Sequence, residues 1–228
     1  MRFTVRMFVI VGLVRLFVVA LGIVGTRAIW RDGDVEGLVY FTNLTSFLAV
    51  AVFGWAAVTT LARREPPPVR AKGLVTLAAA ITGLVAWLVL EPESPDAPAV
   101  FLGLTDGQVE HRALPIVVVL DFLLLDPHRR ARLRDAGLWM LFPLLYFGAI
   151  LLRGQLSPGS AYPYGFIDLD ALGWGGLGLN LLLYGGAFYV LGLLIVGVDR
   201  ALPARPVIGR VGRAGTAGTG RPDAAVRE

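Results

Sequence analysis

GLVYFTNLTSFLAVAVFGWAAVTTLARREPPPVRAK, residues 37–72, holds the two signals that decide the architecture. Residues 37–61 carry no charge. At 1.5 Å rise per residue they exceed the roughly 20 residues that cross a hydrocarbon core. The run then meets Arg63, Arg64 and the breaker Pro66-Pro67-Pro68, followed by Arg70 and Lys72. Prolines end a helix, and a short basic connection stays on the cytoplasmic side. One stretch therefore predicts both a membrane span and its direction.

Working outward, five more apolar segments follow the same logic, at 4–24, 73–90, 109–125, 137–152 and 172–198. Those at 73–90, 109–125 and 137–152 are on the short side, and Asp126-Pro127 closes the second of these. Composition agrees, with 56% hydrophobic and 17% charged residues, against about half and a quarter in ordinary soluble domains. Mean hydropathy is +0.68. The expectation is an all-α polytopic membrane protein: a bundle of six transmembrane helices over residues 1–200, then a disordered basic cytoplasmic tail over 201–228. The N-terminus starts basic (Arg2, Arg6), but its apolar run outlasts the about 7–15 residues of a signal peptide core, so it reads as a retained first helix.

Charge orients the bundle. Arg129, Arg130, Arg132 and Arg134 follow the fourth segment, and Arg200, Arg205, Arg210 and Arg213 follow the sixth. The connection between the third and fourth segments holds Glu91, Glu93, Asp96, Asp106 and Glu110 against Arg112, and that between the fifth and sixth holds Asp168 and Asp170 against Arg153. Basic connections inside put both termini in the cytoplasm, as expected of an integral protein of the plasma membrane.

The chain has no cysteine, which excludes disulfides and thiolate metal sites. It carries no phosphate loop, dinucleotide fingerprint, zinc-spaced His pair or nucleic-acid module, so no metal, cofactor or nucleic-acid partner is expected. No internal repeat of the kind that builds inverted-repeat transporters stands out. His128, in a basic cytoplasmic loop, is assigned no chemistry. Gly173, Gly175, Gly176 and Gly178 read as a close-packing face on the last helix.

Ionisable groups inside a membrane are costly and mark function or structural pairing. Arg15 lies about 15 Å from the inner edge and Asp121 about 18 Å from the outer edge. An ion pair between them neutralises both costs. The second segment begins outside with Tyr40, Thr42, Asn43, Thr45 and Ser46, and the fourth begins outside with Glu110 and His111. Thr42 and His111 therefore lie at similar depth. A neutral imidazole beside a hydroxyl accepts its proton and raises its nucleophilicity. Structural roles compete, because membrane Thr and Ser also bond backbone or join helices. Asn180 and Tyr184, four residues apart, share a face of the last helix and point to a cavity. Spacing identifies no third residue and no oxyanion donor.

Tyr40-Phe41-Thr42 opening the second segment, His111 with Pro115 and Asp121 in the fourth, and Ala161-Tyr162-Pro163-Tyr164-Gly165-Phe166-Ile167-Asp168 in the last connection together resemble the bacterial Pr6Pr membrane proteins. Trp139, Pro143 and Tyr146 fit the same pattern. The resemblance spans roughly residues 15–178 and extends to the eukaryotic FAR-17a/androgen-induced family of intramembrane threonine hydrolases. It implies cleavage of acyl-lipid esters, similar to fatty-acid esters of hydroxy fatty acids, with Thr42 as nucleophile, His111 as base, and membrane lipids as partners. The competing expectation is a non-catalytic multi-pass protein: a small-solute or lipid transporter, or a scaffold. Oligomeric state is not legible.

Overall fold

The computed structural model describes residues 2–90, 97–157 and 159–208. Glu91, Glu93 and Asp96 of the acidic connection, and most of the basic tail with Arg210 and Arg213, lie outside the described residues. The elements in order are α1 (Arg2–Gly25), α2 (Arg27–Arg31), α3 (Phe41–Leu61), α4 (Val69–Leu88), α5 (Asp106–Gln108), α6 (Leu114–Leu125), α7 (Leu133–Trp139), α8 (Leu141–Leu156) and α9 (Leu169–Ala201). Short 3-10 turns precede α3 and α9. Among the described residues the only strand-like feature is an isolated bridge between Phe101 and Leu104.

Five helices among the described residues are long and apolar enough to cross a membrane, at Arg6–Gly25, Phe41–Leu61, Val69–Leu88, Leu133–Leu156 and Leu169–Ala201. The expected fourth segment takes another form. α5, a π-helical turn (Val109–Ala113) and α6 follow one another without a break, so the run is helical from Asp106 to Leu125 but changes register inside it. Pro115 gives the reason: it has no N–H to return to the His111 carbonyl, and the Leu114 amide reaches back to the Val109 carbonyl instead.

α4 is the centre of the bundle. One face (Val75, Ala79) joins Val18, Leu21, Phe53 and Val118 of α1, α3 and α6; the other (Leu77, Ala78, Ile81) joins Phe122, Trp139 and Val196 of α6, α7 and α9. α1 runs antiparallel to α3, with Gly12 against Leu61 and Gly22 against Ser46 and Val50. At Gly73, α4 meets α7 closely enough that a Cβ there would run into the Trp139 ring. The outside of the bundle is strongly apolar, with Leu13, Leu145, Leu182 and Trp87 exposed. Apolar surface on that scale is unusual for a soluble monomer and compatible with a membrane.

One reading of the last helix needs correction. A Cβ on Gly175 or Gly178 meets nothing within 4 Å, so these glycines do not form a packing face. Gly173 instead bends the chain, at φ 62° and ψ 173°, a conformation essentially reserved for glycine. His128, in the connection after α6, is 1% exposed. Its Nε2 lies 3.1 Å from the Leu123 carbonyl and its Nδ1 3.5 Å from Asp199 Oδ1. Asp199 Oδ2 accepts the Arg130 and Ala131 amides at 2.9 and 2.8 Å, so this pair clamps the α6–α7 connection onto the end of α9.

The connections sort by end. Arg70 bonds Asp135 at 3.0 Å and Arg130 reaches the Pro67 carbonyl, so both basic connections gather at one end of the bundle. Arg27 pairs with Asp106 at 3.0 Å at the other end, beside the start of α3.

Candidate functional site

The start of α3 carries the site. Tyr40 is its extended N-cap residue with φ −90° and ψ 131°, and it makes no side-chain cap, so the first-turn amides of α3 look for other acceptors. Thr42, 6% exposed, sits in that turn. Its Oγ1 lies 3.2 Å from Nε2 of His111, which the π turn carries toward α3. One helical turn on, Ser46 Oγ donates to Glu110 Oε1 at 3.3 Å. The widened turn is thus held against α3 by two neighbouring side chains, and the imidazole orientation follows from that seating. Gly83 of α4 backs the same turn, since a Cβ there would lie 3.1 Å from Pro115.

Thr42 forms part of the wall of a cavity of about 750 Å³, open mouth included. The wall is built from the start of α3 (Phe41, Thr42), α4 (Ile81, Thr82, Val85), α8 (Pro143, Tyr146, Phe147), the loop residues Tyr164 and Phe166, and α9 (Asn180, Tyr184, Phe188). It contains no charged side chain among the described residues. His111 is not part of the wall; it contacts Thr42 from the α6 side. Thr82 Oγ1 is buried on this wall with no hydrogen-bond partner.

Tyr164 stands beside Thr42. The Phe41 amide donates to its hydroxyl oxygen at 3.1 Å. Phe166 stacks on its ring with centroids 5.2 Å apart, and Tyr40 meets it edge-on at 6.1 Å. Asn180 donates to the Phe166 carbonyl at 3.0 Å and so fixes the loop that carries both rings. Burial pushes the Tyr164 phenol above the ordinary tyrosine range, opposed by hydrogen bonding with Thr42 and with the Phe41 amide. The hydroxyl of Tyr146 donates to the Val39 carbonyl at 2.7 Å.

The remaining residues singled out in the sequence fall elsewhere or take other roles. Asn43 turns away from the cavity and donates to the Gly37 carbonyl at 2.8 Å. Tyr184 lines the cavity as an aromatic wall packed on Phe166 at 4.8 Å. Arg15 and Asp121 lie toward the far end of the bundle. Arg15 Nε donates to Asp121 Oδ1 at 3.1 Å, but the pair is part of a larger network. Arg15 also reaches Asp126 Oδ1 and Thr60 Oγ1, each at 2.6 Å. Lys72 bonds Asp121 and lies 3.2 Å from Asp126. Its ammonium also stands 3.7 Å from the centre of the Phe53 ring. Lys72 had counted as a loop charge; it is 3% exposed because α4 begins at Val69, four residues before the expected start. Two cations and two carboxylates balance, which is what makes their burial tolerable.

Sequence reasoning missed the burial of Lys72 and Asp126 and the position of Tyr164 beside Thr42. Only Tyr164 left a signal, two tyrosines flanking Pro163 in an otherwise polar connection. No protein-family model, curated protein or solved structure matches the chain. What the fold defines is an all-helical protein with several helices apolar enough to span a membrane.

Proposed function

We propose that this protein is a six-span membrane hydrolase of acyl-lipid esters, with Thr42 as nucleophile and His111 as general base, as its resemblance to the Pr6Pr and FAR-17a/androgen-induced proteins implies. The carrying observation is the 3.2 Å contact between Thr42 Oγ1 and His111 Nε2 at the wall of an apolar cavity. The sixth span is the helical run from Asp106 to Leu125, whose π turn leaves its length near the about 30 Å of a hydrocarbon core. The basic end of the bundle faces the cytoplasm with both termini, which puts the reactive pair near the outer leaflet of the plasma membrane.

In this reading the acyl chain occupies the aromatic cavity and presents its ester carbonyl to Thr42. His111 Nε2 takes the Thr42 proton as Oγ1 attacks the carbonyl carbon. The tetrahedral intermediate collapses, the C–O bond to the alcohol breaks, and His111 returns the proton to the leaving oxygen. Water then attacks the acyl-threonine as His111 takes its proton, the bond from the acyl carbon to Oγ1 breaks, and His111 returns the proton to Oγ1, which releases the acid and restores both residues. Acyl transfer of this kind needs no metal or organic cofactor.

An alkyl fluorophosphonate tests the proposal. Purified protein in lipid nanodiscs should take the probe on Thr42, located by peptide mass mapping, and Thr42→Ala should not. Failure of the wild-type protein both to label and to release p-nitrophenol from p-nitrophenyl octanoate would leave the transporter or scaffold reading.

A further inference from the structure

We infer that Tyr164 is a third catalytic residue, its hydroxyl donating a hydrogen bond to the carbonyl oxygen of the ester as that oxygen becomes an oxyanion. The inference rests on the Thr42–His111 reading and supplies the donor which that reading lacks.

Three observations converge on Tyr164. Its hydroxyl oxygen accepts the Phe41 amide at 3.1 Å, at the uncapped start of the helix that carries the nucleophile. An oxygen that accepts there keeps its own proton for another acceptor. Second, Tyr164 and Thr42 belong to the same cavity wall and are close enough to hydrogen-bond, so the phenol stands next to any carbonyl that Thr42 Oγ1 attacks. Third, the neighbouring phenol is ruled out: the Tyr146 proton is committed to the Val39 carbonyl at 2.7 Å.

The donor is also pre-positioned. Phe166 lies parallel to the Tyr164 ring within 10°, and the Ile167 amide donates to the Tyr164 carbonyl at 3.0 Å, so ring and backbone are both fixed before substrate arrives. A fixed dipole aimed at developing charge in a dry site stabilises the transition state without reorganisation. The Phe41 amide, donating into the phenol oxygen, polarises the O–H bond further. Charge moves as follows. Attack by Thr42 places the carbonyl electron pair on oxygen. Tyr164 holds that oxygen by a hydrogen bond without transferring its proton, and the pair returns to carbon as the leaving oxygen departs with the proton from His111.

Tyr164→Phe keeps the ring and its stacking and removes only the hydroxyl. With p-nitrophenyl octanoate and protein in nanodiscs, kcat should fall about 100-fold or more, the scale seen when one oxyanion donor is lost. KM should change little. Affinity for an octyl trifluoromethyl ketone, which forms a hemiketal oxyanion on the nucleophile, should fall by a similar factor. Affinity for the corresponding methyl ketone should hold. If Thr42→Ala abolishes turnover while Tyr164→Phe keeps kcat within about threefold, the assignment of Tyr164 is wrong and the hydrolase reading survives. Equal weakening of both ketones would make Tyr164 a structural residue and also overturn the assignment. A wild-type protein inert to ester and fluorophosphonate alike would overturn both readings together.

Discussion

Thr42 Oγ1 and His111 Nε2 stand 3.2 Å apart although 69 residues separate them in the chain. The contact joins the first turn of α3 to a π turn in the run that ends with α6, and the Ser46–Glu110 bond one turn along holds the same two segments in register.

Residues that act as one unit lose activity non-additively. Thr42→Ala and His111→Ala should each lower kcat on the order of 10³-fold, and the double variant should lose no more than the worse single one. Thr42→Ser keeps the hydroxyl and should retain measurable turnover. Multiplicative losses in the double variant would show that the two side chains act separately.

Asp121 faces both Arg15 and Lys72, so Asp121→Ala strands buried cations and should cost about 3–5 kcal/mol. Arg15→Leu combined with Asp121→Leu removes one charge of each sign and leaves Lys72 beside Asp126 at 3.2 Å. That double variant should regain part of the folded yield, read as the monodisperse fraction and its thermal midpoint in detergent. A double variant no better than Asp121→Ala would contradict the charge-balance account.

At Gly73 a methyl group would overlap the Trp139 ring, which is 1% exposed. Gly73→Ala should destabilise the bundle by about 1–3 kcal/mol, the cost of forcing an overpacked core apart. Trp139→Leu in the Gly73→Ala background should relieve part of it. Thermal unfolding followed by Trp fluorescence or size-exclusion loss checks the order of the wild type and the two variants.

The proposed sidedness rests on the basic connections. Alkaline phosphatase fused after Arg64 or after Arg134 should be inactive, and fused after Asp106 it should be active. Activity at either of the first two positions would reverse the proposed orientation and move the reactive pair to the inner leaflet.

The helices were legible because their causes are local. An uncharged run of some 20 residues must satisfy its backbone within itself in lipid, and prolines and charge clusters end it. The positions of α1, α3 and α9 follow directly, and so does the presence of Thr42 and His111 near the starts of two apolar segments. Even the π turn left a trace, Pro115 four residues after His111. Helix rotation left none. These helices are apolar on nearly every face, so no polar stripe records which side turns inward. Only the packed structure decides that Lys72 enters the core while Asn43 turns back to Gly37, that His128 is buried against Asp199, and that Tyr164 meets the wall carrying Thr42. Those choices depend on close approaches such as Gly73 on Trp139, where shape rather than hydropathy selects the face.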